Sequence, residues 1–112
     1  MKLIEKDFYI IVEDENDDVK QFASFLESTG YENIKDKNVV VDIQKYGELQ
    51  LPELLSFLTL SNKHRSSKHS FVLVNDTIMI DDVPAELIVV PTLLEAADII
   101  QMEEIERDLE AF

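Results

Sequence analysis

The sequence predicts an α/β domain, with four or five strands in a sheet and helices between them. Short, unbroken runs of β-branched and aromatic residues, such as Val39-Val40-Val41 and Phe71–Val74, have the composition of strands buried on both faces. Apolar residues at helical spacing, as at Val19, Phe22, Phe25 and Leu26, lie between those runs. The alternation of the two patterns along 112 residues is that of one α/β unit, large enough for a core without crosslinks.

Taken in order, Leu3–Ile4 and Phe8–Val12 read as two strands joined at Glu5-Lys6-Asp7 in a hairpin. The acidic segment 13–18 follows. Asp14, Asn16 and Asp18 have the spacing that opens an EF-hand loop, but Val19 stands where that loop needs Gly and Phe25 where it needs Glu. Asp17 or Asp18 is instead expected to cap the next helix. Gly30 is expected at the C′ position that ends it. A polar turn at 35–38 leads to a strand at Val39–Ile43, a polar break at 44–50, and a helix from about Leu51 with Pro52 in its first turn.

The segment Asn62–Ser70 reads as a solvated helix end and connection. It carries the chain's basic cluster, Lys63, Arg65 and Lys68, with His64 and His69. The two histidines are five apart with no carboxylate between them, a poor metal-ligand spacing. Phe71–Val74 is the next strand, ended by Asn75-Asp76. Thr77–Ile80 is a short strand or apolar loop, Asp81–Leu87 a turn or single helical turn, and Ile88–Val90 a short strand closed by Pro91. Thr92 and Glu95 have the form of a capping box for a last helix reaching Glu110. Its apolar residues are Leu93, Ala96, Ala97, Ile100, Ile105, Leu109 and Phe112, read as one face. The helix is expected to project beyond the sheet, leaving Ile105, Leu109 and Phe112 as oligomer or partner contacts.

Composition limits function. Ten Lys plus Arg against 24 Asp plus Glu give a net charge of −14, a field that repels nucleic acid and anionic lipid. Residues 70–112 hold 11 of the acids and a single base, Arg107. Solubility accounts for such charge, and a partner with a basic surface is the sharper expectation. Without cysteine there is no disulfide or thiolate metal site. No apolar run has the length of a membrane span and the N-terminus lacks a signal-peptide pattern, so the cytoplasm is the expected location. No nucleotide-binding glycine motif or nucleophile elbow is present, and no carboxylate pair sits where one member stays protonated. No cofactor, no metal and no catalytic residues are expected.

The element order, together with the segments LIEKDFYIIVEDEND, NVVVDIQKYGELQLPELLSFL, SFVLVND and VVPTLLEAADII, resembles the STAS domain of bacterial anti-sigma-factor antagonists over roughly residues 2–105. The resemblance implies a single STAS-like domain over 1–112, with a mixed four- to five-stranded sheet and helices packed mainly on one face, that works by protein–protein contact. In that family the loop after the central strand carries a hydroxyl at the helix start, phosphorylated by a partner kinase; a phosphate is well held there. Here Gln50-Leu51-Pro52-Glu53 stands at that position, so the resemblance implies a member without the phosphoswitch.

A non-catalytic, regulatory interaction module is therefore expected, with Tyr46, Glu48, Leu49, Leu51, Pro52 and Glu53 as the partner-binding residues and Leu54, Leu55 and Leu58 packing the helix onto the sheet. The alternatives are an antagonist phosphorylated elsewhere, at Ser56 or Thr59, or a small ligand-binding domain. A homodimer through the last helix is a further expectation. The C-terminal segment also resembles small proteins of Bacteroidetes-type bacteria, some of them named for ribonuclease Z, but that enzyme's His-x-His-x-Asp-His zinc motif has no match here.

Overall fold

Because side chains alternate across a strand, an unbroken apolar run needs cover on both sides. The computed structural model, which describes residues 1–78 and 80–110, provides it. Five strands, β1 (Lys2–Glu5), β2 (Ile10–Glu13), β3 (Val39–Asp42), β4 (Phe71–Val74) and β5 (Val89–Val90), form one sheet in the order β1-β2-β3-β4-β5. The β1–β2 pair is antiparallel and the other pairs are parallel, so the sheet is mixed. Phe8 and Tyr9, expected in the second strand, belong to the connection before it.

The register places Val12, Val41, Leu73 and Val89 side by side. With Ile10, Val39 and Phe71 they face the larger core, under α1 (Val19–Glu27), α2 (Leu51–Leu55) and α3 (Leu58–Ser66). Ile11, Val40, Val72 and Val74 face the other way, onto Ala96 and Ile100 of α4 (Leu93–Glu110). Each parallel connection moves one strand in the same direction, so a constant crossover hand puts all of them on one face. The opposite face is left to the last helix, which refines the expectation of helices on mainly one side.

Asp18 caps α1, accepting a hydrogen bond from the Gln21 N–H at 3.0 Å. Gly30 does not serve as the C′ residue. The cap is Ser28, and Gly30 lies within the 3₁₀ turn Thr29–Asn33, where a Cβ would come within 2.7 Å of the Phe25 ring. Close approach, with no left-handed backbone, explains the glycine. Phe25 itself is more than a third exposed, so the α1 core face is Val19, Phe22, Ala23 and Leu26.

The helix expected from Leu51 is two helices. Ser56, whose hydroxyl donates to the Glu53 carbonyl, and buried Phe57 separate α2 from α3. The helix α3 continues to Ser66, so much of the segment Asn62–Ser70, read as a helix end and connection, is helical. His64 is correspondingly not solvated. It is fully buried at the end of the series Leu54, Phe57, Leu60, His64. Its Nε2 lies 2.6 Å from the Lys37 carbonyl, so that nitrogen carries the proton, and Nδ1 accepts from the Tyr31 hydroxyl at 3.2 Å. Burial, with nearby His69 adding to it, holds the His64 pKa below its ordinary value, against the opposing hydrogen bond to Lys37.

After β4, Thr77 and Ile78 form a loop and Ile80–Asp82 a 3₁₀ turn, so no strand lies at 77–78; Met79 of that segment is outside the described residues. Thr92 caps α4, accepting from the Glu95 N–H at 3.1 Å, while the Glu95 carboxylate meets the Thr92 hydroxyl at 3.3 Å. The expected single apolar face of α4 is not found. At about 100° per residue, Leu93, Ala96, Ala97 and Ile100 share one side, and Ile105 and Leu109 lie roughly opposite. Beyond Ile100 the sheet-facing side continues in polar residues. Arg65 pairs with Glu103 at 2.9 Å, and Arg107 reaches Glu104 at 2.8 Å, the Ser70 hydroxyl at 3.1 Å and the Asn38 side-chain oxygen at 3.3 Å. The helix thus stays attached as far as Arg107, at the starts of β3 and β4.

Candidate functional site

In parallel sheets the loops after the strands' carboxyl ends are where binding groups gather. Here that edge carries the turn Gln44–Tyr46, the bend 47–50 and the start of α2. The segment is held from several sides. Asp42 Oδ1 accepts from the Gln44 N–H at 3.1 Å, which turns the chain directly after β3. Lys45 Nζ donates to the carbonyls of Asp14 and Asn16 at 2.9 and 2.6 Å, and the Tyr46 hydroxyl donates to Asp14 Oδ2 at 2.6 Å. From the other side, Asn75 Nδ2 donates to the carbonyls of Ile43 and Gly47, each at 3.0 Å. Gly47 sits at φ 68° and ψ −133°, a region that L side chains rarely adopt. A glycine is required there.

These contacts assign the acidic segment. Asp14 accepts from both the Asn16 N–H and Tyr46, and Asp18 caps α1, so the groups with calcium-loop spacing are engaged within the fold. Among the described residues no three His, Asp or Glu side chains converge as a metal site requires. Partial burial opposes ionisation of Asp14, but the Tyr46 hydroxyl, the backbone N–H groups of Asn16 and Asp18 and the Lys45 cation together hold its carboxyl below the usual range. Burial first, and then the Asp14 carboxylate, push the Tyr46 phenol well up, so it remains a donor.

The expected partner-binding residues separate into two groups. Tyr46 and Leu49 are half-buried anchors, Tyr46 through Asp14 and Leu49 against the larger core. Glu53 accepts from the Gln50 N–H at 2.9 Å and so caps its own helix. Glu48, Leu51 and Pro52 are exposed. Leu55, expected to pack on the sheet, is exposed as well and stands one turn after Leu51. The i, i+4 spacing of Leu51 and Leu55 was the available signal for it. The resulting apolar ridge, Leu51, Pro52 and Leu55, stands beside two open clefts. One, of about 380 Å³, is bordered by Asp17, Lys20, Lys45, Tyr46, Leu49 and Glu53, and the other, of about 290 Å³, by Leu49, Leu51, Leu54, Thr77 and Ile78.

The second expected contact surface is on α4. Ile105 and Leu109 are 60% and 68% exposed, and Leu94 and Met102 share their side of the helix, also uncovered. Phe112 lies outside the described residues. No helix among the described residues is long and apolar enough to cross a membrane. No protein-family model matches the chain, and no curated protein matches it in sequence.

Proposed function

We propose that this protein is a non-catalytic interaction module of STAS type, regulatory in role, which binds a protein partner through the ridge at Leu51, Pro52 and Leu55. One observation carries the reading: exposed apolar side chains sit at the end of a loop tied down by Tyr46, Lys45, Asn75 and Glu53. A surface ordered before binding loses little conformational entropy on contact, the condition under which a small apolar patch supports useful affinity. Apart from the division of the helix after β3 into α2 and α3, the order of strands and helices along the chain matches the one the STAS resemblance implies, and this supports the family reading.

At the position where that family is phosphorylated stands Gln50-Leu51-Pro52-Glu53, with the Glu53 carboxylate already on the Gln50 N–H, so the ridge acts as a fixed surface. The net charge of −14 favours a partner with a basic surface, bound in a salt-sensitive manner. Affinity capture from the source cells at low salt, with wild-type bait beside a Leu51→Asp/Leu55→Asp bait of equal thermal stability, tests this. The expected result is a discrete set of proteins kept by the first and lost by the second. Identical sets, or none with either bait, would refute the proposal.

Should a kinase act on the module, Thr59 is the hydroxyl to examine. It is exposed on α3, whereas the Ser56 hydroxyl is bonded to the Glu53 carbonyl.

A further inference from the structure

The last helix is apolar on two opposite sides, and the sheet covers only one of them. Ala96 and Ile100 are fully buried against Ile11, Val40, Val72 and Val74. Half a turn away, Leu94, Met102, Ile105 and Leu109 fall within an arc of about 80° and are 58–73% exposed. The steps 102, 105 and 109, three and four residues apart, are those of a seam between two helices. From Leu94 to Leu109 the stripe is about 22 Å long, four turns of helix.

This side cannot roll inward to find cover. The opposite side of the same turns is fixed by the Arg65–Glu103 pair, by Asn38 on Glu104, and by Arg107, which bonds both Glu104 and the Ser70 hydroxyl. Turning Ile105 toward the sheet would break all of these contacts.

Charge says what fits. Glu103 and Glu104 are neutralised on the inner side by Arg65 and Arg107. Glu95, Asp98, Glu106, Asp108 and Glu110 form no ion pair among the described residues, and Asp98 lies within the stripe itself. A second copy laid on the stripe would bring five more carboxylates against these five, and like-charge juxtaposition opposes association. A helix with leucine-like residues on one edge and Lys or Arg beside them meets both demands at once: it buries the stripe and pairs the carboxylates.

We infer that the outward face of α4 is a docking strip for a basic amphipathic helix of a partner protein, a surface separate from the Leu51–Leu55 ridge. The test uses the full chain and a fluorescent, helix-forming peptide with Leu at the two seam positions of each heptad and Lys beside them. Controls are the same composition with the leucines out of register, and the same seam with Glu in place of Lys. Saturable binding of the first peptide alone is expected, weakened by added salt. It should fall by about tenfold or more in Ile105→Ser/Leu109→Ser, since loss of two seam side chains exceeds the ~1.4 kcal/mol that a decade represents. Leu51→Ser/Leu55→Ser should bind like wild type, so failure of the ridge proposal and failure of this one are separable.

Equal binding by the Ile105/Leu109 variant, binding lost instead in the Leu51/Leu55 variant, or no saturable binding to the wild type would overturn the inference. So would a sedimentation experiment showing a dimer of the wild-type chain that the Ile105/Leu109 substitution converts to monomer. That result would make the occupant a second copy. Both positions are exposed, and unchanged thermal unfolding of each variant excludes misfolding as the cause.

Discussion

His64 shows how one buried side chain ties distant parts of the chain together. It links α3 to Lys37, just before β3, and to Tyr31 after α1. Its lowered pKa means that below about pH 6.5 the unfolded chain takes up a proton that the folded chain resists. Stability from this group is therefore fully present above about pH 6.5 and declines as the pH falls below it. Glu103 and Glu104 are also lowered, but from 4.5, so their loss begins only in more acid solution. Urea unfolding between about pH 7.5 and pH 5 should show stability falling with pH. His64→Gln should flatten that slope and cost about 1–3 kcal/mol near neutral pH, where a buried partner is left unsatisfied. An unchanged slope in the variant would show that the pH dependence has another source.

Tyr46 makes the same kind of argument for the loop. Tyr46→Phe removes the bond to Asp14 and is expected to cost about 1.5–3 kcal/mol, the range for a hydrogen bond to a charged group. Gly47→Ala forces a Cβ into a backbone region reserved for glycine, at a cost of about 1–3 kcal/mol, although nothing lies within 4 Å to clash with it. Chemical denaturation checks both, and faster amide exchange across residues 44–50 should accompany the losses.

Among the elements, α4 depends most on a polar contact. Asn38 is the hub: its amide donates to the Phe8 carbonyl at 2.9 Å and to Glu104 at 2.7 Å, and its oxygen accepts from the Ser70 N–H at 2.8 Å. Asn38→Ala should destabilise the protein by about 2–3 kcal/mol, since the buried Ser70 N–H loses its acceptor and the part-buried bonds to Phe8 and Glu104 are lost with it. Hydrogen exchange should then show the far half of α4 opening before the strands, and equal protection along the whole helix would contradict this role.

The strand elements were legible because burial on both faces writes itself as an uninterrupted apolar run. Phe71–Val74 has the expected limits, and Val39–Asp42 differs by one residue. The Asp18 cap was legible for a similarly local reason. The side of a helix is harder to read, because it depends on angle as well as composition. Ile100 and Ile105 are the same residue type, yet they lie about 140° apart around α4, one buried and the other exposed. His64 reads as solvated because it stands in a run of cations, although its spacing after Leu54, Phe57 and Leu60 continues the buried stripe.

At the scale of the molecule, a sheet wound in one direction leaves three surfaces of different character. The connecting helices cover one face, the last helix covers the other, and the carboxyl edge presents the tethered ridge. The candidate site was partly legible: Leu51 and Pro52 are exposed as expected, whereas Tyr46, Leu49 and Glu53 turned inward. The Tyr46 bond to Asp14, the packing of Leu49 against the core and the Glu53 bond to Gln50 separate anchors from contacts, and the first two depend on residues remote in sequence.

The claim that this edge is the contact surface is tested most directly by placing a photo-reactive amino acid at position 51 in the source cells, with a second chain carrying it at position 36. Asp36 is exposed near the opposite end of the sheet, before β3. A discrete protein adduct from position 51 and none from position 36 is the predicted result. The same adducts from both positions, or none from position 51, would contradict it.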